Sequence, residues 1–235
     1  MSGYQGRGLH GQTVALLGAR IVSGDLAQGE VLDLPALGAE LDLSLTVLRE
    51  AIKVLTAKGL LEARQKRGTV VLPRDRWNLL DADLIRWRSE AGEMHEVLRD
   101  LAEVRAVVEP EAAALAAKRR DAHDLEELEA ALVAMQAALL GEPGTAAAAD
   151  LRFHRAMLRA THNELLTRMD VFIEPALSLR DALVHSYSDD DPVPSHARIV
   201  DAVRAADPQG AAAAARELLA KASDDIAALL AERSR

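Results

Sequence analysis

Apolar residues recur at helical spacing in the first part of the chain, in three short stretches. Val14, Leu17 and Ile21 lie on one side of a predicted first helix. A second helix is predicted over residues 34–41 and a third over residues 45–58. Three short helices in this order are typical of a small helical DNA-binding domain.

The pattern changes after Gly59, which is expected to end the third helix. Residues 60–64 and 69–72 are rich in apolar and β-branched side chains, and they read as two strands of a hairpin. The predicted tip, residues 65–68, reads Gln-Lys-Arg-Gly. A basic hairpin tip directly after a helix-turn-helix predicts a winged helix, whose wing can reach phosphates or the minor groove of DNA.

The third helix has the features of a recognition helix. The Ser44 hydroxyl is placed to cap it, and Thr46, Arg49 and Lys53 are predicted to point outward. The helix-turn-helix spacing would lay this helix in a major groove.

A lone Lys or Arg is usually a solvated surface charge. Here four cations fall on two adjacent elements in winged-helix order, and this grouping favours a DNA-binding role over the ordinary surface role. They are Arg49, Arg64, Lys66 and Arg67.

From about Leu79 onward the chain is rich in Ala, Leu, Glu and Arg, with helical periodicity throughout. This pattern predicts six or seven helices, and the short connections favour an antiparallel bundle. We therefore predict a mostly α protein of two domains: a winged helix-turn-helix with a small β-hairpin over residues 1–77, and a helical domain over residues 78–235.

Charge separates the two predicted domains. The net charge of the 235 residues is −9, which on average disfavours a nucleic-acid partner, but residues 1–77 hold ten Lys and Arg against eight Asp and Glu. Only this first segment therefore suits DNA. The chain has no cysteine, no signal-peptide pattern and no apolar run of membrane-spanning length, so we expect a cytoplasmic protein that does not enter a membrane.

The helical domain carries a candidate metal site. Asp150 and His154 are four residues apart and project from one face of a helix, so the pair can chelate a metal ion; an ordinary ion pair is the alternative explanation. His196 opens a later predicted helix and is the third candidate ligand.

Residues 36–73 resemble the winged helix of the GntR family of bacterial regulators, through the recognition-helix residues and the Gly-Thr-x-Val of the wing. Leu45 departs from the family pattern, which usually has a DNA-contacting Arg there. The resemblance implies binding to double-stranded operator DNA. The predicted DNA-binding residues are Ser44, Thr46, Arg49, Lys53, Arg64, Lys66, Arg67, Gly68 and Thr69.

The region from about Asp81 to Ala228 resembles the FCD ligand-binding domain of the FadR branch of this family. Many members hold a divalent metal through one Asp and three His, and the metal helps to bind a carboxylate effector. The resemblance assigns Asp150, His154 and His196 as ligands of a divalent metal ion, zinc first, with nickel or manganese as alternatives. The fourth His would fall near Leu218, where this chain has none.

Two further residues match effector-site positions of the family. Arg105 is implied to face the effector, although pairing with Glu109 or Glu103 explains it equally well. Asn163 matches a position at a helix start, where capping alone explains it. Residues 76–87 resemble the galactonate-repressor-like subgroup, which implies a sugar acid or another small organic acid as the effector.

These observations predict a homodimeric repressor whose winged helices respond to a metabolite bound in the helical domain. The alternative is a metal-dependent enzyme built on the Asp and His cluster. The sequence offers no nucleophile-and-base arrangement and no phosphate-binding loop, so we expect no enzymatic activity.

Overall fold

The structure is a computed structural model that describes residues 8–139, 145–184 and 191–233. The chain forms two compact units, Met1–Val97 and Leu98–Arg235, called here the first and second units. Within the described ranges, no helix is both long and apolar enough to cross a membrane.

Three helices open the first unit: α1 (Leu9–Ser23), α2 (Leu34–Leu41) and α3 (Leu45–Ala57). Two of their boundaries follow from local residues. Gly24 adopts a left-handed conformation and ends α1, and Asp33 starts α2 by accepting a hydrogen bond from the backbone N–H of Ala36. The predicted helices are confirmed, with bounds that differ by one residue at the end of α3.

A three-stranded antiparallel sheet follows, in the order β1-β3-β2. Its strands are β1 (Val31–Leu32), β2 (Leu61–Arg64) and β3 (Gly68–Val71). The predicted hairpin is β2 and β3, and the two-residue strand β1 adds to its outer edge through Val31 opposite Val70. Two residues are too few to give a period-2 pattern, so the sequence prediction did not include β1.

The helix α4 (Ala82–Arg88) belongs to the first unit, and a π-helical turn, Ser89–Glu93, follows it. Trp87 is 2% exposed and packs with the core residues of α1 and α3. An added Cβ at Gly18 would lie 2.3 Å from its ring, so this glycine makes room for the indole. The predicted division after residue 77 thus lies 20 residues before the division between the compact units.

A buried cation joins α3 to α4. The Lys58 ammonium lies 2.8 Å from a carboxylate oxygen of both Asp81 and Asp83, and 5.9 Å from the centroid of the Trp87 ring. Burial lowers the pKa of Lys58, but these two carboxylates outweigh the effect and raise it.

The second unit is helical, as predicted. Its helices are α5 (Met94–Arg119), whose first turn lies in the first unit, α6 (Ala122–Ala138), α7 (Thr145–Arg159), α8 (Glu164–Thr167), α9 (Asp170–Val184), α10 (Val193–Arg204) and α11 (Pro208–Arg233). Small side chains fill much of its core, including Ala113, Ala117, Ala131 and Ala211, and let the helices approach closely around Phe153.

Candidate DNA interface and candidate metal and effector site

The exposed face of α3 carries polar side chains. Ser44 caps the helix, since its hydroxyl oxygen accepts a hydrogen bond from the backbone N–H of Val47 at 3.3 Å. Thr46, Arg49 and Lys53 are exposed, and the Lys53 ammonium pairs with Glu50 at 2.7 Å. The opposite side of the helix is buried, so only this polar face is presented to a partner.

The wing presents its cations at the tip. Lys66 and Arg67 lie in the turn between β2 and β3 and are exposed, while Arg64 is paired with Glu62 at 2.6 Å. Gly68 adopts a φ of +91°, which favours glycine at this turn. Thr69 of β3 is 9% exposed, so the structure does not bring its side chain to the surface with the other predicted DNA contacts.

In the second unit, three predicted metal ligands meet at one point. The Nε2 atoms of His154 and His196 each lie 3.1 Å from Oδ1 of Asp150. The two histidines are 1% and 2% exposed, and Phe153 packs edge-to-face against both rings. One potential ligand atom from each residue lies within 4.8 Å of the others, a spread that one ion with bonds of about 2 Å can bridge.

Both histidines are oriented through their other ring nitrogen. Nδ1 of His154 lies 2.8 Å from Oε2 of Glu109, and Nδ1 of His196 lies 2.8 Å from the carbonyl oxygen of Pro192. An acceptor at Nδ1 holds the proton there and leaves the Nε2 lone pair for a metal ion, which is the arrangement found around metal-binding histidines. The donor set and its supports therefore fit a divalent cation.

The charges in this cluster are strongly coupled. Burial raises the pKa of Glu109, but the charges of His154 and Arg105 outweigh it and lower the pKa to about 2. Burial lowers the pKa of His154, but Glu109 and Asp150 outweigh it and raise the pKa to about 9. The pKa of Asp150 is well below its usual range, because hydrogen bonds and charge from both histidines outweigh its desolvation. Without a metal, His154 is thus an imidazolium held between two carboxylates.

The two effector-site predictions have different outcomes. Arg105 is 6% exposed and pairs with Glu109, with Nε 2.5 Å from Oε1, so the predicted pairing is present but buried. Its Nη2 also lies 3.2 Å from Nε2 of His154, which brings the guanidinium to the candidate metal ligands. Asn163 caps α8 by accepting hydrogen bonds from the backbone N–H groups of Leu165 and Leu166, and within the described ranges its side chain makes no hydrogen bond to the cluster.

A cavity of about 270 Å³ opens beside Asp150. Its described lining is mostly apolar, and Arg180 stands in it with Nη1 3.7 Å from Oδ2 of Asp150. Leu218, at the position of the family's fourth histidine, is half-buried and packs against the apolar core. The cluster thus combines three candidate ligands and a small cavity, whose lining includes the cation Arg180 and a second carboxylate, Asp181.

A second group of potential ligands lies at the start of α6, formed by Asp121, Asp124 and His162. Here the carboxylates have another task. Asp121 and Asp124 each accept a hydrogen bond from the other's backbone N–H, which is a capping box, and His162 lies 2.7 Å from Asp124. Helix capping explains this group without a ligand.

Three groups of the candidate site were not assigned from the sequence: the Glu109 carboxylate as a support of His154, the Pro192 carbonyl, and Arg180. The spacing of Glu109 four residues after Arg105 signalled an ion pair but not its burial. The other two lie more than 25 residues from Asp150 in the chain, and no local pattern connects them to it.

Comparison with protein families gives two matches. Residues 9–71 match the family described as bacterial regulatory proteins, gntR family, and residues 100–221 match the FCD domain.

Several curated proteins resemble the chain over most of its length. The Galactonate operon transcriptional repressor of Escherichia coli is 33% identical and covers 89% of this chain and 93% of its own length. The Probable D-xylose utilization operon transcriptional repressor of Paenarthrobacter nicotinovorans is 32% identical over 80% of this chain and 76% of its own. These relatives are named as transcriptional regulators, which confirms the prediction of a regulator and not an enzyme.

Solved structures share the fold. Lar of Listeria monocytogenes superposes with a TM-score of 0.59 at 21% identity and covers 92% of this chain and 95% of its own. Escherichia coli McbR/YncC gives a TM-score of 0.52 at 19% identity, over 97% and 99% of the two chains. At these identities the likeness supports the fold: a winged helix followed by a helical domain.

Proposed function

The chain belongs to the GntR family of bacterial regulatory proteins and carries an FCD domain, and we propose that it is a cytoplasmic repressor controlled by a small organic acid that binds in the second unit beside a divalent metal ion. The observation that carries this proposal is the meeting of two oriented histidines at Asp150, on the wall of a small cavity. The DNA-binding role itself follows from the family.

The first unit supports a specific mode of operator binding. The exposed face of α3 offers Thr46 and Arg49 to base edges in the major groove, where the N-terminal half of such a helix makes its base contacts. Lys53, Arg64, Lys66 and the adjacent tip residues Arg67 and Gly68 are proposed to contact the phosphate backbone, and the backbone of Thr69 continues this surface.

In the second unit, Asp150, His154 and His196 would hold the metal ion. Two imidazole nitrogens and a carboxylate oxygen suit zinc, and nickel or manganese accept the same donors. When bound, the ion supplies positive charge and open positions for water or a carboxylate. The two remaining anionic and cationic side chains of the cluster, Glu109 and Arg105, neutralise each other.

The charge of the cavity favours an anion. The described lining of the cavity holds two carboxylates, Asp150 and Asp181, and the Arg180 guanidinium. A divalent ion at the cluster together with Arg180 would outweigh the charge of these two carboxylates. The volume of about 270 Å³ suits a small metabolite. A sugar acid is the class we propose, because the galactonate operon repressor is a relative over nearly the whole chain.

Control requires that the acid bind differently to two arrangements of the regulator, since a ligand shifts an equilibrium only by its difference in affinity. We propose a homodimer in which the acid changes the relative placement of two first units, so that operator half-sites fit one arrangement better. In this scheme the acid releases DNA.

The test is a DNA-binding titration over a salt series on the promoter DNA that flanks the gene, with and without a panel of sugar acids and with zinc or a chelator. We expect tight, salt-dependent binding that Arg49→Ala weakens by about 1 to 3 kcal/mol, that one acid reverses, and that the chelator makes insensitive to the acid. Arg216→Ala, an exposed arginine of α11, is the control that leaves binding unchanged.

Two outcomes would contradict the proposal at different points. Equal affinity for the promoter and for random DNA of the same length would contradict specific operator binding at this promoter. Operator binding that no acid in the panel alters, with the metal present, would remove the acid as the controlling ligand. Asp150→Asn tests the metal site separately from DNA binding. It should lower the affinity for metal measured by calorimetry and leave DNA binding in the absence of the acid unchanged.

A further inference from the structure

One large apolar side chain stands on the DNA-facing end of α3. Leu45 is the first residue of this helix and 43% exposed, whereas Leu48, Ile52 and Leu55 of the same helix are at most 8% exposed. We infer that Leu45 recognises the C5-methyl group of a thymine in the operator. This inference rests on the proposed function, in which α3 lies in the major groove.

The position of Leu45 is what distinguishes it from other exposed apolar residues, since single exposed leucines are common on protein surfaces. It directly precedes Thr46 and lies one helical turn before Arg49, both exposed. In a helix-turn-helix the N-terminal residues of the recognition helix contact base edges. An exposed apolar group at this point therefore enters the groove together with the polar readers.

One side of Leu45 lies next to α2. Its Cδ2 methyl group is 3.9 Å from the position that a Cβ at Gly38 would take, which is an ordinary contact distance. The Ser44 cap holds the first turn of α3. Leu45 therefore stands at a capped helix start beside α2, with 43% of its surface exposed.

The chemistry of the major groove leaves one apolar partner. Guanine, adenine and cytosine offer hydrogen-bond acceptors or donors on this edge, and thymine adds a methyl group. A leucine over an acceptor or donor would exclude water without replacing its hydrogen bond, which is unfavourable. A leucine against the thymine methyl buries apolar surface on both sides. Leu45 of each protomer should therefore select thymine at one position of its operator half-site.

The test begins with selection of binding sites from a random DNA library by the wild-type chain and by Leu45→Ala. Each thymine of the selected site is then replaced, one at a time, by deoxyuridine, which removes only the methyl group. We expect one replacement in each half-site to weaken wild-type binding, each by about fourfold, which is about 0.8 kcal/mol for one buried methyl group at 1.36 kcal/mol per tenfold. The same replacement should not weaken binding of Leu45→Ala.

Leu16→Ala is the matched control, because Leu16 is 44% exposed on α1 of the same unit. This variant should keep the wild-type response to every deoxyuridine. Circular dichroism of the wild type and of every variant checks that the comparison is between folded proteins. Leu45→Met, which keeps an apolar side chain of similar volume, should retain most of the thymine preference.

The inference is overturned if wild-type binding is insensitive to deoxyuridine at every thymine, or if Leu45→Ala keeps the wild-type response. Either result leaves the proposed function intact, since the library would still have yielded a specific site. Failure of the library to enrich any sequence is a different outcome: it overturns the proposed operator binding, and this inference with it.

Discussion

Oε2 of Glu109 lies 2.8 Å from Nδ1 of His154, and each of the two side chains is 1% exposed. The same carboxylate pairs with Arg105 through its other oxygen. One buried acid therefore sets the ring orientation of a proposed metal ligand and neutralises a buried guanidinium. Removing the Glu109 carboxylate should therefore affect both the orientation of His154 and the neutralisation of Arg105.

Glu109→Gln should lower metal affinity at the cluster by about 10- to 100-fold, because supports of this kind orient the ligand and raise its basicity. Isothermal calorimetry with zinc measures this directly. Glu103→Gln is the control, since Glu103 is exposed on the same helix, and it should bind zinc as the wild type does. If Glu109→Gln binds zinc with wild-type affinity, the carboxylate does not support His154 as a ligand and only neutralises Arg105.

The metal-free protein should be most stable between about pH 4.5 and 6.5, as far as this cluster is concerned. The pKa of Glu109 is lowered from 4.5 to about 2, so its contribution to stability is present above pH 4.5 and is lost as the pH falls towards 2. The pKa of His154 is raised from 6.5 to about 9, so its contribution is present below pH 6.5 and is lost as the pH rises through 9.

Urea unfolding with a chelator present measures this effect. We expect the free energy of unfolding to fall by roughly 3 kcal/mol between pH 6 and 9. His154→Gln should remove this alkaline decline, while the exposed His123→Gln should retain it. If the free energy of unfolding declines equally between pH 6 and 9 in the wild type and in His154→Gln, the imidazolium does not stabilise the fold.

Much of the fold follows from local pattern, and the site follows only in part. The period of Val14, Leu17 and Ile21 and the caps at Asp33 and Ser44 are local signals, and the helices they predict are present with nearly the expected bounds. These elements are decided by residues within one or two turns of each other.

The remaining features depend on contacts between distant residues. Glu109 meets His154 across 45 positions and Arg180 meets Asp150 across 30, so neither contact leaves a periodic trace in the sequence. The assignment of α4 to the first unit depends on Trp87 reaching the first core, which no neighbouring residue indicates. Such contacts are a property of tertiary packing.

Gly18→Ala should destabilise the first unit by about 1 to 3 kcal/mol, because the new methyl group overlaps the Trp87 ring and forces the indole out of a close-packed core. The loss should be accompanied by a red shift of tryptophan emission as the ring gains water contact. Gln12→Ala, exposed on the same helix, should change neither quantity. Unchanged emission and stability in Gly18→Ala would contradict the packing of α4 on α1.

The wing cations should act mainly through phosphate contacts, so their removal should change the salt dependence of binding more than the sequence preference. On the operator, Lys66→Ala and Arg67→Ala should each reduce the slope of log K against log salt by about one. Both side chains are exposed at the tip, whereas Arg64 is paired with Glu62, so Arg64→Ala should change the slope less. Arg216→Ala is again the control without effect. Wing variants that keep the wild-type slope but bind a different set of selected sequences would instead mean that the tip reads bases, as a minor-groove arm does.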